Sequence, residues 1–133
     1  MKRSAIGRGV LDTLARYNHN VEVIMLGEFE YLLICATARL GDDAYGAAIR
    51  LSVEKATGCR CSVGALYTTL DRLEQKGLLH TWMGEATPER GGRPKRRVRV
   101  TAKGTREATN FYNTVVRASQ GVSWAPNAGL EGS

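Results

Sequence analysis

The sequence predicts a small α+β domain, mostly helical, in which a helix leads into a two-stranded hairpin with a basic turn. Three observations support this fold class. A helix with one leucine face begins after Ser62, two short strands follow it, and a glycine-rich basic segment joins the strands. Two earlier helices and one later helix complete the predicted architecture, which is that of a winged helix-turn-helix with a C-terminal helix.

Composition limits the chain to a few classes of protein. Its 133 residues suit one small domain, and its hydrophobic content of 43% is enough for a modest core. The longest apolar run, Tyr31 to Ala36, is far too short to span a membrane, and the N-terminus lacks the apolar segment of a secretory signal. Three cysteines, an odd number, favour a reduced cytoplasmic chain over a disulfide scaffold.

Residues 1–25 carry apolar side chains at roughly helical spacing, and two interpretations of them stay open. They are either an arm that packs on a partner subunit or a mobile extension ahead of a domain that begins at about residue 26. The apolar positions are Ile6, Val10, Leu11, Leu14 and Tyr17.

Apolar spacing predicts a first helix over about 27–40 and a second over about 44–57. Gly41 and Gly58 are expected to end these helices. Asp42 or Asp43 is expected to cap the second helix, where acid suits the positive helix end. The predicted inner faces are Phe29, Leu32, Leu33, Ala36 and Leu40 in the first helix, and Tyr45, Ala48, Ile49, Ser52, Val53 and Ala56 in the second.

The third helix has two contrasting faces. Ser62 is a good N-cap, Gly77 ends the helix, and Leu66, Leu70 and Leu73 form its apolar stripe. The opposite face holds Gly64, Thr68, Asp71 and Gln75, with Tyr67 and Arg72 on the flanks. Over the first half of this face the side chains are small or hydroxylated and none is acidic, which suits the major groove of DNA. An ordinary surface helix would also account for this pattern.

The segment that follows favours the nucleic-acid interpretation. Between residues 90 and 106 there are eight basic residues and no acid, so the remainder of a chain of net charge +6 nets about −2. A local patch of this kind is typical of a nucleic-acid footprint. Gly91, Gly92 and Pro94 predict a turn, and Val98 and Val100 alternate with basic residues at strand spacing. The eight are Arg90, Arg93, Lys95, Arg96, Arg97, Arg99, Lys103 and Arg106.

These residues together resemble the PadR family of bacterial transcriptional regulators. The segments that carry the resemblance are GALYTTLDRLEQKGLL and GGRPKRRVRVTAKG, with Tyr45-Gly46 and Ile49 upstream. The resemblance covers about residues 26–112. The family's second wing strand is usually aromatic, whereas this chain has Arg97-Val98-Arg99-Val100.

The resemblance implies a repressor that binds a palindromic operator in duplex DNA as a homodimer, with a small-molecule effector as a further possibility. Residues 26–101 are the expected DNA-binding domain. Two alternatives from other classes are a winged-helix module that binds protein and one that binds RNA. The expected DNA-contacting residues are Ser62, Gly64, Tyr67, Thr68, Arg72, Arg90, Arg93, Lys95, Arg96 and Arg97.

Thr101 is expected to cap a last helix over residues 102–119, which would serve in dimerisation. The apolar stripe of this helix consists of Ala108 and four larger side chains. In a chain of this length, few other residues remain that could cover the stripe. A partner's copy would cover it in a two-fold dimer, or else the N-terminal segment of the same chain would. Residues 120–133 are predicted to form a disordered tail. The proposed dimerisation residues are Phe111, Tyr112, Val115 and Val116.

No motif in the sequence predicts an enzyme. There is no phosphate-binding loop, no paired nucleophile and histidine, and no acidic cluster for a metal. Cys59 and Cys61 lack the further ligands that a metal site needs, and Cys35 is expected in the core. We therefore expect no catalytic residue, no metal and no cofactor. One of Trp82 and Met83 is expected to face the core, and the alternative for Trp82 is that it lines a ligand cavity at a dimer interface.

Overall fold

The computed structural model describes residues 26–85 and 94–125. Residues 1–25, with their apolar stripe, lie outside the described part of the chain. Within it, the predicted winged helix-turn-helix with a long C-terminal helix is confirmed. The elements are α1 (Glu28–Leu40), a 3-10 turn (Gly41–Asp43), α2 (Gly46–Thr57), α3 (Val63–Gln75), β1 (Leu79–Met83), β2 (Arg96–Val100) and α4 (Ala102–Ser119).

The two strands form an antiparallel hairpin that is joined to the helices along its second strand. Leu79 lies opposite Val100, and Trp82 lies opposite Arg97. On its other edge, β2 meets the extended residues before α2, where Tyr45 bridges to Arg97. The Val98 amide donates to the Ala44 carbonyl at 3.0 Å. The hairpin of β1 and β2, which is the wing of this fold, is thereby joined to the connection between α1 and α2.

The core contains the leucine stripe of α3. Leu66, Leu70 and Leu73 are fully buried, as predicted. Burial of one such side chain contributes roughly 1.5–3 kcal/mol, so this stripe supplies a large share of the cohesion of a small domain. The other apolar core residues in the described ranges are Leu26, Leu33, Ile34, Ala36, Ala44, Ile49, Val53, Cys61, Leu78, Leu79 and Val98.

The predicted inner face of α1 was partly wrong. Leu33 and Ala36 are buried, but Phe29, Leu32 and Leu40 are only partly so, whereas Ile34 and Thr37 are buried instead. The reason is that α1 is packed by α2, α3, α4 and β2, so more than one stripe is covered. Thr37 is accommodated because its hydroxyl donates to the Leu33 carbonyl at 2.8 Å.

The predicted cap of α2 was also wrong. Asp42 and Asp43 belong to the 3-10 turn, and α2 begins at Gly46 without a side-chain cap. The physical reason is that Ala44 and Tyr45 are extended and pair with β2, which delays the start of the helix.

The inner face of α2 is narrower than predicted. It consists of Gly46, Ile49 and Val53, with Ala56 exposed and Tyr45 outside the helix. Ala48 and Ser52 are half-buried. The predicted ends of α1 and α2 are confirmed, since Gly41 and Gly58 both have positive φ.

Neither Trp82 nor Met83 faces the core, contrary to the prediction, and both are exposed. Successive strand residues point to opposite faces of a sheet. The inward positions of β1 are taken by Leu79 and Thr81, and the Thr81 hydroxyl donates to Glu74 Oε1 of α3 at 2.9 Å. Met83 shares the inward side but lies opposite Arg96, beyond the edge of the core.

The start of α4 is fixed by contacts with the segment that follows α3. Thr101 accepts from the Gly104 amide at 2.9 Å, as the predicted cap should, and donates to the Gly77 carbonyl at 2.7 Å. Gly104 lies so close to the Leu78 carbonyl that a Cβ at this position would clash with backbone. After α4, residues 120–125 form turns, and residues 126–133 of the predicted tail lie outside the described chain.

Glu30 links the start of α1 to the end of α3 from a nearly buried position. Its Oε1 accepts from the Gly27 amide at 2.8 Å, and its Oε2 accepts from Lys76 Nζ at 2.9 Å. Burial raises the pKa of the Glu30 carboxyl, but the Gly27 amide and the charges of Lys76 and Arg72 outweigh it, so the pKa lies below its ordinary value.

We expect Glu30→Gln to lower the free energy of unfolding at pH 7 by about 1–3 kcal/mol, as for loss of a charge-assisted hydrogen bond. A lowered folded-state pKa contributes stability above the unfolded-state pKa, and that stability is lost as pH falls through the folded-state value. The difference from wild type should therefore shrink in acid. Urea unfolding between pH 7 and pH 3 tests this, with the exposed Glu28→Gln as control. A pH-independent difference would contradict it.

Candidate nucleic-acid interface

The outward face of α3 is open and free of acid over its first half. Ser62 accepts from the Ala65 amide at 3.0 Å and caps the helix, as predicted. Gly64 and Thr68 are exposed one turn apart, and the first acid on this face is Asp71. Arg72 is also exposed, although its guanidinium lies 3.9 Å from Glu30 Oε2. The geometry of the predicted face is thus present, and its contact with DNA stays a prediction.

An ion pair that the sequence prediction missed holds the turn before α3. Glu54 Oε2 accepts from the Cys61 amide at 2.7 Å and lies 3.3 Å from Arg50 Nη1. The same Arg50 nitrogen donates to the Cys61 carbonyl at 3.3 Å. Residues 50 and 54 are one helical turn apart, which was the available signal. This network positions the cap of α3 and leaves Arg60 exposed beside it.

Tyr67 lies on the flank of α3, as predicted, and its contact with DNA stays a prediction. Its ring is half-buried against the core cluster, and its hydroxyl lies against Gly46, where any Cβ would clash. The Arg96 guanidinium lies 5.7 Å from the ring centroid. Tyr67 therefore joins α3 to α2, and its substitution would disturb that packing as well as any contact with DNA.

Arg96 points inward to α3. Its Nη2 lies 2.8 Å from Asp71 Oδ1 and 3.5 Å from Glu74 Oε1, and it donates to the Thr81 hydroxyl at 3.3 Å. Only 21% of its side chain is exposed. These contacts make Arg96 a link between the wing and α3, and its predicted contact with DNA stays a prediction.

The other predicted wing cations divide into two groups. Lys95 and Arg97 flank Tyr45, with Lys95 Nζ 4.2 Å and the Arg97 guanidinium 5.9 Å from the ring centroid. Arg97 also donates to the Asp42 carbonyl at 3.0 Å, whereas Lys95 is exposed at the base of the turn. Arg90 and Arg93 lie outside the described residues.

The stripe of α4 is only partly used within the chain. The Phe111 ring lies 4.8 Å from the Tyr31 ring and is half-buried. Burial and the neighbouring Cys35 raise the pKa of Tyr31 to about 12. The remaining large side chains of the stripe, Tyr112, Val115 and Val116, are exposed by 56%, 44% and 38%. That exposure leaves a surface on which a partner could pack.

The cysteines form no site among residues 26–85 and 94–125. All three are free thiols, and no group of three or more potential metal ligands occurs in these ranges. Cys59 is exposed, whereas burial and then the Glu54 carboxylate raise the pKa of the Cys61 thiol against the opposing charge of Arg50. Cys35 is half-buried, so its expected core position is only partly confirmed. Within residues 26–85 and 94–125, none of the helices has the length and hydropathy of a membrane span.

Residues 36–110 match the model of the transcriptional regulator PadR-like family. A PadR-like transcription factor from Bacteroides fragilis is 20% identical, with a TM-score of 0.57 over 84% of this chain and 93% of that one. A transcriptional regulator from Clostridium thermocellum is 18% identical, with a TM-score of 0.58 over 82% and 92%. A PadR family regulator from Clostridium difficile R20291 is 21% identical, with a TM-score of 0.55 over 70% and 95%. No curated protein matches the chain.

The contrast between Arg96 and Lys95 yields a prediction about stability. We expect Arg96→Ala to lower the free energy of unfolding by about 1 kcal/mol or more, because it leaves Asp71 and Glu74 without their shared cation. Lys95→Ala removes an exposed side chain and its contact with the Tyr45 ring, so it should lower the free energy of unfolding by no more than about 0.5 kcal/mol. Urea unfolding of both variants measures the difference. Equal effects would mean that the Arg96 network does not join the wing to α3.

Proposed function

Because the chain belongs to the PadR-like family of transcriptional regulators, we propose that it is a repressor that binds duplex DNA as a homodimer. Members of this family regulate transcription and are not enzymes. The observation that carries the proposal is the first half of α3, which is capped at Ser62, exposed, and without acid up to Asp71. A helix with such a face can approach base edges in a major groove without repulsion from phosphates.

The wing supports the same assignment through its charge. Lys95 is exposed beside Tyr45, ahead of α2, and Arg90 and Arg93 precede it in the sequence. We infer that these cations hold phosphates or enter the minor groove, while Ser62, Gly64 and Thr68 approach bases. Arg72 would contact the backbone from the flank of α3. Arg96 and Tyr67 would act indirectly by holding α3 in position. Arg97 would act indirectly as well, by fixing β2 to the 3-10 turn.

Homodimerisation would give the protein two recognition helices. Two-fold association through α4 would bury Tyr112, Val115 and Val116 and repeat α3 on both sides of the axis. Two such helices can read half-sites about 34 Å apart, one turn of DNA, which predicts a palindromic operator. Occupation of such a site within a promoter would exclude polymerase, which is the proposed basis of repression.

Specific recognition is tested by comparing two exposed residues on the same face of α3. Thr68→Ala should weaken operator binding by about 1–3 kcal/mol and change binding to random DNA much less, as expected for loss of a base contact. Gln75→Ala, at the far end of the face, should leave both affinities near wild type. The operator is first obtained by selecting genomic fragments with the purified protein, and both affinities are then measured by titration.

Equal losses on operator and random DNA in Thr68→Ala would contradict base recognition by α3. Competition with duplex RNA tests the second class of ligand, since preferential retention of RNA would replace the DNA proposal. A protein with no salt-sensitive affinity for any nucleic acid would instead be a protein-interaction module.

Dimerisation is tested on the exposed part of the α4 stripe. Phe111 is unsuitable, because its contact with Tyr31 also stabilises the monomer. Val115→Asp with Val116→Asp should convert the dimer to a folded monomer and abolish operator binding, because two carboxylates cannot be buried there without cost. Sedimentation, circular dichroism and operator titration measure the three effects, with Asn113→Asp as an exposed control. A double variant that stays dimeric and binds DNA would place the interface elsewhere.

A further inference from the structure

The side of the wing sheet that faces away from α3 carries a cluster of aromatic and cationic side chains. We call it the outer wing face and define it as His80, Trp82, Arg97 and Arg99. Strand alternation sets this face apart from Thr81 and Arg96, which contact α3. The proposed DNA interface uses neither Trp82 nor Arg99, and both are exposed.

The outer wing face stacks aromatic and cationic groups on one another. The Trp82 and His80 rings are stacked with centroids 5.4 Å apart, and the Arg99 guanidinium lies 5.4 Å from the Trp82 centroid. Trp82 nevertheless keeps 41% of its surface exposed. A tryptophan held by neighbours and still open offers a planar ligand a surface that is already ordered, which lowers the entropic cost of binding.

Trp82, Arg97 and Arg99 form one wall of a groove of about 530 Å³. Its other wall is the end of α1 and the 3-10 turn, including Thr37, Gly41 and Asp42. Arg97 already donates to the Asp42 carbonyl at 3.0 Å, which fixes its position, and its other N–H donors make no hydrogen bond to residues 26–85 and 94–125. The groove is therefore lined by two arginines on the wing side and by Asp42, an exposed acid, on the opposite side.

We propose that this groove binds a purine mononucleotide. The base would stack on Trp82, and the phosphate would accept hydrogen bonds from Arg99 and Arg97, whose planar guanidinium groups match phosphate oxygens. The exocyclic amino group of the base would donate to the Asp42 carboxylate. A ligand that contacts Trp82, the two arginines and Asp42 needs a planar ring, an anionic group and a hydrogen-bond donor. A purine mononucleotide combines these three features.

The proposal is tested by calorimetric titration of the full chain with AMP, adenosine and ribose 5-phosphate. AMP should bind, whereas adenosine lacks the phosphate and ribose 5-phosphate lacks the ring, so each should bind at least about tenfold more weakly. Arg99→Ala and Trp82→Ala should each weaken AMP binding by about fivefold or more, the range expected for a lost charged contact or a lost stack. Trp82→Phe should restore most of the affinity by keeping a stacking surface.

Arg106→Ala is the matched control, since Arg106 is an exposed arginine of α4 outside the groove, and it should bind AMP like wild type. Thermal unfolding of each variant shows that it is folded. Three results would overturn the proposal: no heat of binding with AMP at millimolar concentration, equal affinity for AMP and ribose 5-phosphate, or unchanged affinity in folded Arg99→Ala and Trp82→Ala. None of these measurements depends on DNA, so their failure is distinct from failure of the proposed function.

Discussion

The position of the hairpin relative to the helices depends on the contacts that hold β2 along both of its edges. On one edge β2 pairs with β1, and on the other it meets Ala44 and Tyr45, which are extended between the 3-10 turn and α2. A two-stranded hairpin is marginal in water unless further strands or a packed face support it. The backbone contact at Ala44 and burial of Val98 supply that support. The hairpin therefore becomes a fixed part of the helical core.

This attachment sets the position of the wing relative to α3. Arg96 and Thr81 extend from the inward side of the hairpin to Asp71 and Glu74 on α3. On the same flank of α3, one turn before Asp71, Tyr67 fits against Gly46 of α2 and lies beside Arg96. This flank of the helix is thus held by both the wing and α2. The proposed reading of bases by α3 requires this rigidity, because small displacements of the helix would misalign its contacts.

Some cations of the wing make contacts within the fold and others stay exposed, and composition alone does not separate the two groups. Arg96 neutralises acids of α3, and Arg97 fixes the 3-10 turn through the Asp42 carbonyl. Lys95 and Arg99 keep more exposed positions on the same short segment. Because strand residues alternate between faces, neighbouring cations in one run have different roles. The outer wing face is the result of this alternation, and it provides a surface separate from the proposed DNA interface.

The sequence by itself determined the order of elements, because that order is written in local signals. Ser62 and Thr101 cap their helices, Gly41 and Gly58 end theirs with positive φ, and the leucine period of α3 defines its buried side.

Only the tertiary structure decided what depends on residues distant in the chain. The pairing of Ala44 and Tyr45 with β2 removed Asp42 and Asp43 from the cap of α2. Arg96 is only 21% exposed because its guanidinium pairs with acids of α3. Tyr67 is half-buried because α2 packs closely against it at Gly46. Periodicity and propensity describe one segment at a time, whereas these outcomes depend on which segment packs beside it.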